Sequence, residues 1–209
     1  MKNRKKILII SLTLLASFTC AAGTVTKGMK KVIDDALDFS VKQSMSMFYE
    51  MKDQKGILPR TAENGKMITC ESAWWTSGFY PGTLWYCYEY SNDPQIRAAA
   101  EEMTSRVEKQ KYTTSNHDVG FIINCSFGNG YRLTHNETYR KVIETAAKSL
   151  STRFHPVTGC TRSWNSKKWQ FSVIIDNMMN LELLNVASSL TGDNTYYLSL
   201  IHISEPTRL

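Results

Sequence analysis

Between Lys30 and Met51 apolar residues recur every three or four positions, with acids early, which predicts a helix ended by the turn residues of "KGILPR". "DPQIRAAAEEMTSRVEKQK" repeats the pattern and predicts an amphipathic helix over Pro94–Lys111, with Asp93 as N-cap and Pro94 in the first helical position. Asn136–Phe154 predicts another helix of this polar-faced kind. Three other segments are apolar on every side: Pro81–Ser91, Asp118–Phe127, which Gly128 and Gly130 close, and Phe171–Leu190. A helix apolar all round belongs inside a protein. The alternation of wetted and buried helices predicts an all-α fold in two layers, a helical toroid with inner and outer rings. Strand patterns are nearly absent, and the helix pairs are too dissimilar to read as a solenoid repeat.

The first residues stand outside this pattern. "MKNRKK" is basic, "ILIISLTLLA" apolar and "SFTCAAG" a run of small residues, which together read as a secretory signal peptide over residues 1–22. The chain is therefore expected to be exported, to the periplasm. Cys20 follows Ser17-Phe18-Thr19, which lacks the leucine a lipobox carries three positions upstream, so lipid anchoring has weak support. No other stretch approaches the roughly 20 apolar residues of a membrane span. The leader also explains the charge. The chain has 25 Lys+Arg against 19 Asp+Glu, and Lys2, Arg4, Lys5 and Lys6 fall in the leader with no acid, leaving 21 against 19, or +2. That balance gives no support to nucleic-acid binding.

Cys70, Cys87, Cys125 and Cys160 form no CxxC or Cys-His pair, so no metal site is expected; buried thiols are preferred over disulfides.

Chemistry concentrates in three stretches. "VIIDNMMNLELL" sets Asp176 in the first turns of an apolar segment, with Asn177 and Asn180 beside it. Burying an ionised carboxylate is costly unless it is paired, hydrogen-bonded or protonated, so Asp176 is expected to titrate above the ordinary aspartate value. In "TTSNHDVGF", His117 and Asp118 fall at the mouth of a buried helix, where the helix N-terminus favours an ionised acid. Two acids pushed in opposite directions are the pattern of an acid/base pair. Each also has a structural reading: Asp118 as an N-cap, Asp176 as a satisfied carboxylate, His117 as a core histidine. "WWTSGFYPGTLWYCYEY" (Trp74 to Tyr90) holds eight aromatic residues in 17, much of it core; Trp74 or Trp75 is expected to reach a cleft, and Trp164 and Trp169 extend the aromatic supply. Flat aromatic faces beside carboxylates suit a sugar ring.

These three stretches, in this order, resemble the unsaturated glucuronyl hydrolases, glycoside hydrolase family 88, from about Lys27 to Tyr197. The resemblance implies an (α/α)6 toroid, present here as roughly its first half. It implies action on disaccharides released by polysaccharide lyases, which carry a C4=C5 double bond in a terminal uronic acid. The residue matching Asp176 would protonate C4 and activate the water that adds at C5, with Asp118 as its ionised partner. His117 and Trp75 would contact the unsaturated ring and Trp164 the neighbouring sugar. No metal or organic cofactor is implied. The partners implied are unsaturated uronic acid oligosaccharides; the oligomeric state is not read from the sequence.

The family's second half supplies basic and glutamine side chains that hold the substrate carboxylate. They have no counterpart here, so the 209-residue chain alone is expected to be inactive and poorly soluble. Leu198–Leu209 is expected to be a non-native tail, because the codons for Leu198 through Arg208 can be written as a sequencing-library adapter. Two rivals stand beside this reading: an unsaturated rhamnogalacturonyl hydrolase, and a non-catalytic glycan-binding helical module indifferent to loss of Asp176.

Overall fold

The computed structural model describes residues 25–196; the leader and the tail from Leu198 lie outside the described residues. Contacts divide the chain into a unit ending at Asp38 and a unit beginning at Phe39. Residues 27–38 of the first unit lie in helix α1 (Lys27–Met51) and carry two exposed i,i+4 pairs, Lys30–Asp34 and Lys31–Asp35. Such pairs add a few tenths of a kcal/mol each.

In the second unit, Arg106 closes the C-terminus of α1. Its guanidinium donates to the carbonyls of Met51, Lys52, Gln54 and Ile57, acceptors that helix and turn leave open. A hairpin follows, β1 (Ile57–Glu63) against β2 (Lys66–Glu71). Its two-residue turn, Asn64-Gly65, has φ of 51° and 73°, the left-handed conformation that tight hairpins require. The expectation that strands are nearly absent missed this element, although an Asn-Gly pair is its usual signal.

Helix α2 (Phe79–Ser91) holds Pro81 in its first turn, as expected. Helix α3 (Pro94–Ser105) is capped by Asp93, whose carboxylate accepts from Gln95 N at 2.8 Å. It stops six residues short of Lys111, and a 3₁₀ segment, Glu108–Tyr112, continues the chain. Helix α4 (Val119–Ile123) runs on through a π-helical turn (Asn124–Gly128) into α5 (Asn129–Thr134). Gly128 and Gly130 therefore do not close the helix; His135, at φ 52°, does. A Cβ on Gly130 would stand 2.7 Å from the Tyr139 ring, so this glycine serves packing. Helix α6 (Glu137–Ser151), capped by Asn136, leads to a short hairpin of β3 (Phe154–His155) and β4 (Cys160–Thr161), and then to α7 (Asn177–Thr191).

The expected layering is present. The α4–α5 segment packs against both α2 and α7, with α3 backing α2 and α6 backing α4 and α7. One core joins α4, α6 and α7 through Val119, Ile122, Ile143, Leu150, Leu181 and Leu184; a second joins α2 and α3 through Leu84, Trp85, Ala100 and Met103, and Tyr139 packs against both. The inner helices are not buried on every side, however. Phe79, Tyr86, Met178 and Met179 are exposed.

Candidate active site

The site forms where two inner helices begin. Asp118 precedes α4 and Asp176 precedes α7, with φ/ψ of −63°/−12° and −64°/−12°; neither side chain caps its own helix. Asp176 therefore lies at the start of a helix, whereas the apolar pattern placed it in the interior of one running from Phe171. The reason is a competing pairing. Ser163 N–H donates to the Ser172 carbonyl and Ile174 N–H donates to Ser163 Oγ, so residues 172–174 are held along the 161–164 segment and cannot coil. Ile175 is consequently 87% exposed despite its side chain.

That segment also anchors the other acid. His117 N–H donates to the Ser163 carbonyl at 2.8 Å, and Asn116 pairs with Trp164 as a β-bridge. Arg153 ties the same strands together, donating from Nε to the Arg162 carbonyl and from Nη1 to the Thr114 carbonyl. The helices meet closely as well. A Cβ on Gly120 would run into the backbone of Asn180, and Asn180 Oδ1 accepts from Phe121 N at 2.8 Å. The two carboxylates are thus held from below by an inter-helix contact and from the side by an extended segment.

His117, fully buried, lies between them. Its Nε2 is 3.6 Å from Asp118 Oδ1 and 3.5 Å from Asp176 Oδ2. Its Nδ1 is 2.9 Å from Asn177 Oδ1. Above the carboxylates opens a cleft of about 530 Å³ lined by Trp75, Phe79, Phe121, Trp164, Ile174 and Met179. Trp75, Phe79 and Phe121 form a cluster with ring centroids 5.5–6.0 Å apart, and Trp164 sets its ring edge-to-face with His117 at 5.6 Å. The five residues to which the resemblance gave roles come together here: Asp118, Asp176, Trp75 and Trp164 line the cleft and His117 lies against both acids. Trp74 instead packs under Arg60, 4.1 Å from ring centroid to guanidinium carbon, and Trp169 is not part of the lining.

Burial raises the Asp118 carboxyl above the ordinary aspartate value, opposed by His117 and reinforced by the charge of Asp176. The sequence suggested the opposite, on the strength of the helix N-terminus. That influence fails because the side chain turns into the cleft instead of accepting from the helix N–H groups. Atoms of His117, Asp118 and Asp176 all lie within 4.8 Å of one another, a spacing that a small cation could bridge; acids at this spacing commonly occur without one. The four described cysteines are free thiols, and burial pushes Cys125 up to about 11.

Phe79, Phe121, Ile174 and Met179 were not singled out from the sequence as site residues, and neither was Arg153. Nor were the roles of Asn177 and Asn180, although two amides in an apolar helix need partners.

No family model matches the chain. Over 126 residues it is 46% identical to an unsaturated glucuronyl hydrolase of Formosa agariphila, covering 59% of this chain and 32% of that protein. The proteins it matches are named unsaturated glucuronyl hydrolases or unsaturated chondroitin disaccharide hydrolases. An unsaturated chondroitin disaccharide hydrolase of Streptococcus pyogenes is 33% identical over 171 residues, covering 78% of this chain and 42% of that protein. A crystal structure of an unsaturated glucuronyl hydrolase specific for heparin superposes with a TM-score of 0.75 at 36% identity, covering 83% of this chain and 48% of that one. The chain thus spans a third to a half of the length of these hydrolases, and over that length it has their α/α-toroid fold.

Proposed function

We propose that this chain carries the catalytic carboxylates of a glycoside hydrolase that hydrates the C4=C5 enol ether of a terminal unsaturated uronic acid. The observation that carries the reading is the pair Asp118 and Asp176, set around buried His117 at the floor of an aromatic-walled cleft. Aromatic walls suit the flat half-chair of an unsaturated ring, and a carboxyl positioned beside them can act as a general acid.

In this reading Asp176 gives its proton to C4 and the enol ether becomes an oxocarbenium ion at C5. The carboxylate left behind takes a proton from water as its oxygen bonds to C5. The acid is regenerated and the ring carries a hemiketal. Opening of that hemiketal leaves a hemiacetal at C1, which expels the second sugar. Asp118 is the second carboxylate of the pair, and His117 couples the two. Trp75 faces the unsaturated ring and Trp164 the neighbouring sugar. The substrates are unsaturated uronic acid disaccharides of the kind named for the relatives.

The test is loss of ultraviolet absorbance from unsaturated chondroitin, hyaluronan and heparin disaccharides. It is run on the 209-residue chain, and on the chain completed by the part of the Formosa agariphila relative that it does not cover. Turnover by the completed chain that Asp176→Asn abolishes supports the reading; affinity for the sugars without turnover in either form supports a binding module instead. The reading further takes the protein to be exported, on the leader pattern of residues 1–22. Mature protein recovered from the periplasm without that leader is the expected result.

A further inference from the structure

The hydrogen on His117 is placed by its neighbours. Asn177 Nδ2 lies 2.6 Å from the carbonyl oxygen of Thr161, which can only accept, so Nδ2 is the amide's donor there. Asn177 Oδ1 is therefore the atom 2.9 Å from His117 Nδ1, and it too can only accept. The hydrogen of that contact must sit on Nδ1. His117 and Thr161 are fully buried and Asn177 is 1% exposed, so no water offers an alternative. The same segment holds the backbone of His117, whose N–H donates to the Ser163 carbonyl, two residues beyond Thr161.

The consequence is at the other nitrogen. His117 Nε2 and Asp176 Oδ1 are buried without a hydrogen-bond partner, and two carboxylates flank Nε2 just beyond hydrogen-bond distance. Left alone, an imidazole between two carboxylates would carry its hydrogen on Nε2 and donate it to one of them. Held as the Nδ1–H form, it offers them a lone pair. A lone pair 3.6 Å from Asp118 and 3.5 Å from Asp176 is placed to accept a proton that either carboxyl carries.

We propose that Asn177 is a positioning residue that holds His117 with its hydrogen on Nδ1, making Nε2 the atom through which the two carboxylates share one proton. The use of that proton at C4 rests on the hydrolase reading; the placement of the hydrogen does not. Asn177 acts through His117 and touches no substrate.

The experiment is long-range ¹H–¹⁵N correlation on the 209-residue chain with ¹⁵N-labelled histidine, across a pH series, with His117→Gln to assign the signal. The chain has four histidines. The exposed His135 and His155 give comparison signals. The expected result is that, as pH rises, Nε2 of His117 loses its hydrogen and Nδ1 keeps it. In Asn177→Ala the hydrogen moves to Nε2, whereas Asn177→Asp, which retains an acceptor at Nδ1, keeps it in place. A wild-type His117 that loses the hydrogen from Nδ1 overturns the proposal even if no variant folds, and so does an Asn177→Ala protein that keeps the Nδ1 hydrogen. In the completed chain, a misplaced hydrogen lowers kcat by on the order of 10²–10⁴ with KM little changed. The expected hydrogen placement with no turnover of any unsaturated disaccharide sinks the hydrolase reading and leaves the placement standing.

Discussion

Asp118 and Asp176 occupy the same backbone position on two different helices, each immediately before the first helical residue, with φ/ψ that agree within a degree. The equivalence brings both carboxylates to one side of the helix layer, with one imidazole between them. Both roles assigned to them depend on that arrangement.

Asp176→Asn keeps the side chain's shape and removes its proton. In the completed chain turnover falls on the order of 10²–10⁴-fold, while affinity for an unsaturated disaccharide changes little. Calorimetric titration beside the absorbance assay separates the two quantities. Equal loss of both would assign Asp176 to binding.

Asp118→Asn is expected to stabilise the 209-residue chain at neutral pH. Burial raises the Asp118 carboxyl in the folded state. A raised carboxyl favours folding below its unfolded value, about 3.9, and that contribution is lost as pH rises through the folded value. Near neutrality the partly buried charge opposes folding, and removing it raises Tm; ~1 kcal/mol corresponds to about 2–4 °C in a chain of this size. Thermal melts from pH 4 to 8 should show the gain growing with pH. A variant less stable at pH 7 than at pH 4, relative to wild type, would contradict the sign.

Trp75→Ala and Trp164→Ala remove the aromatic walls. Both residues are about 40% exposed, so folding loses little. KM for an unsaturated disaccharide in the completed chain is expected to rise about tenfold, near the top of what one aromatic contact contributes beyond area. Unchanged KM in both variants would place the sugar elsewhere.

Gly120→Ala forces a methyl group into the backbone of α7 at Asn180. Overpacking of this kind costs roughly 1–3 kcal/mol, and separating the helices also separates the two carboxylates. Lowered Tm with lowered turnover is expected from melts and assay; an undisturbed Tm would mean the helices part freely.

Asp118, Asp176, His117, Trp75 and Trp164 were singled out in the sequence, whereas Phe79, Phe121, Ile174 and Met179 of the cleft lining were not, and local structure was less legible still. Polar residues in apolar runs marked Asp176, Asn177 and Asn180, because a buried polar group needs a reason. Helix caps at Asp93 and Asn136 were equally readable, since capping is local chemistry. What failed depended on distant partners. Residues 171–175 look helical until the 161–164 segment takes their hydrogen bonds. Gly130 looks like a helix stop until Tyr139 is packed on it. The expected lowering of Asp118 assumed a capping geometry that its side chain does not adopt. The Asn64-Gly65 hairpin, by contrast, was local and simply overlooked.

The central claim, hydration of an enol ether by this carboxylate pair, is tested most directly by turnover of an unsaturated chondroitin disaccharide by the completed chain in D₂O, with the early product examined by NMR and mass spectrometry. Proton transfer to C4 predicts one deuteron at C4 of the uronic acid product, disappearance of the C4=C5 absorbance and release of the second sugar, all lost in Asp176→Asn. Release of the second sugar with the double bond intact and no deuterium at C4 would show displacement at the anomeric carbon and contradict the account.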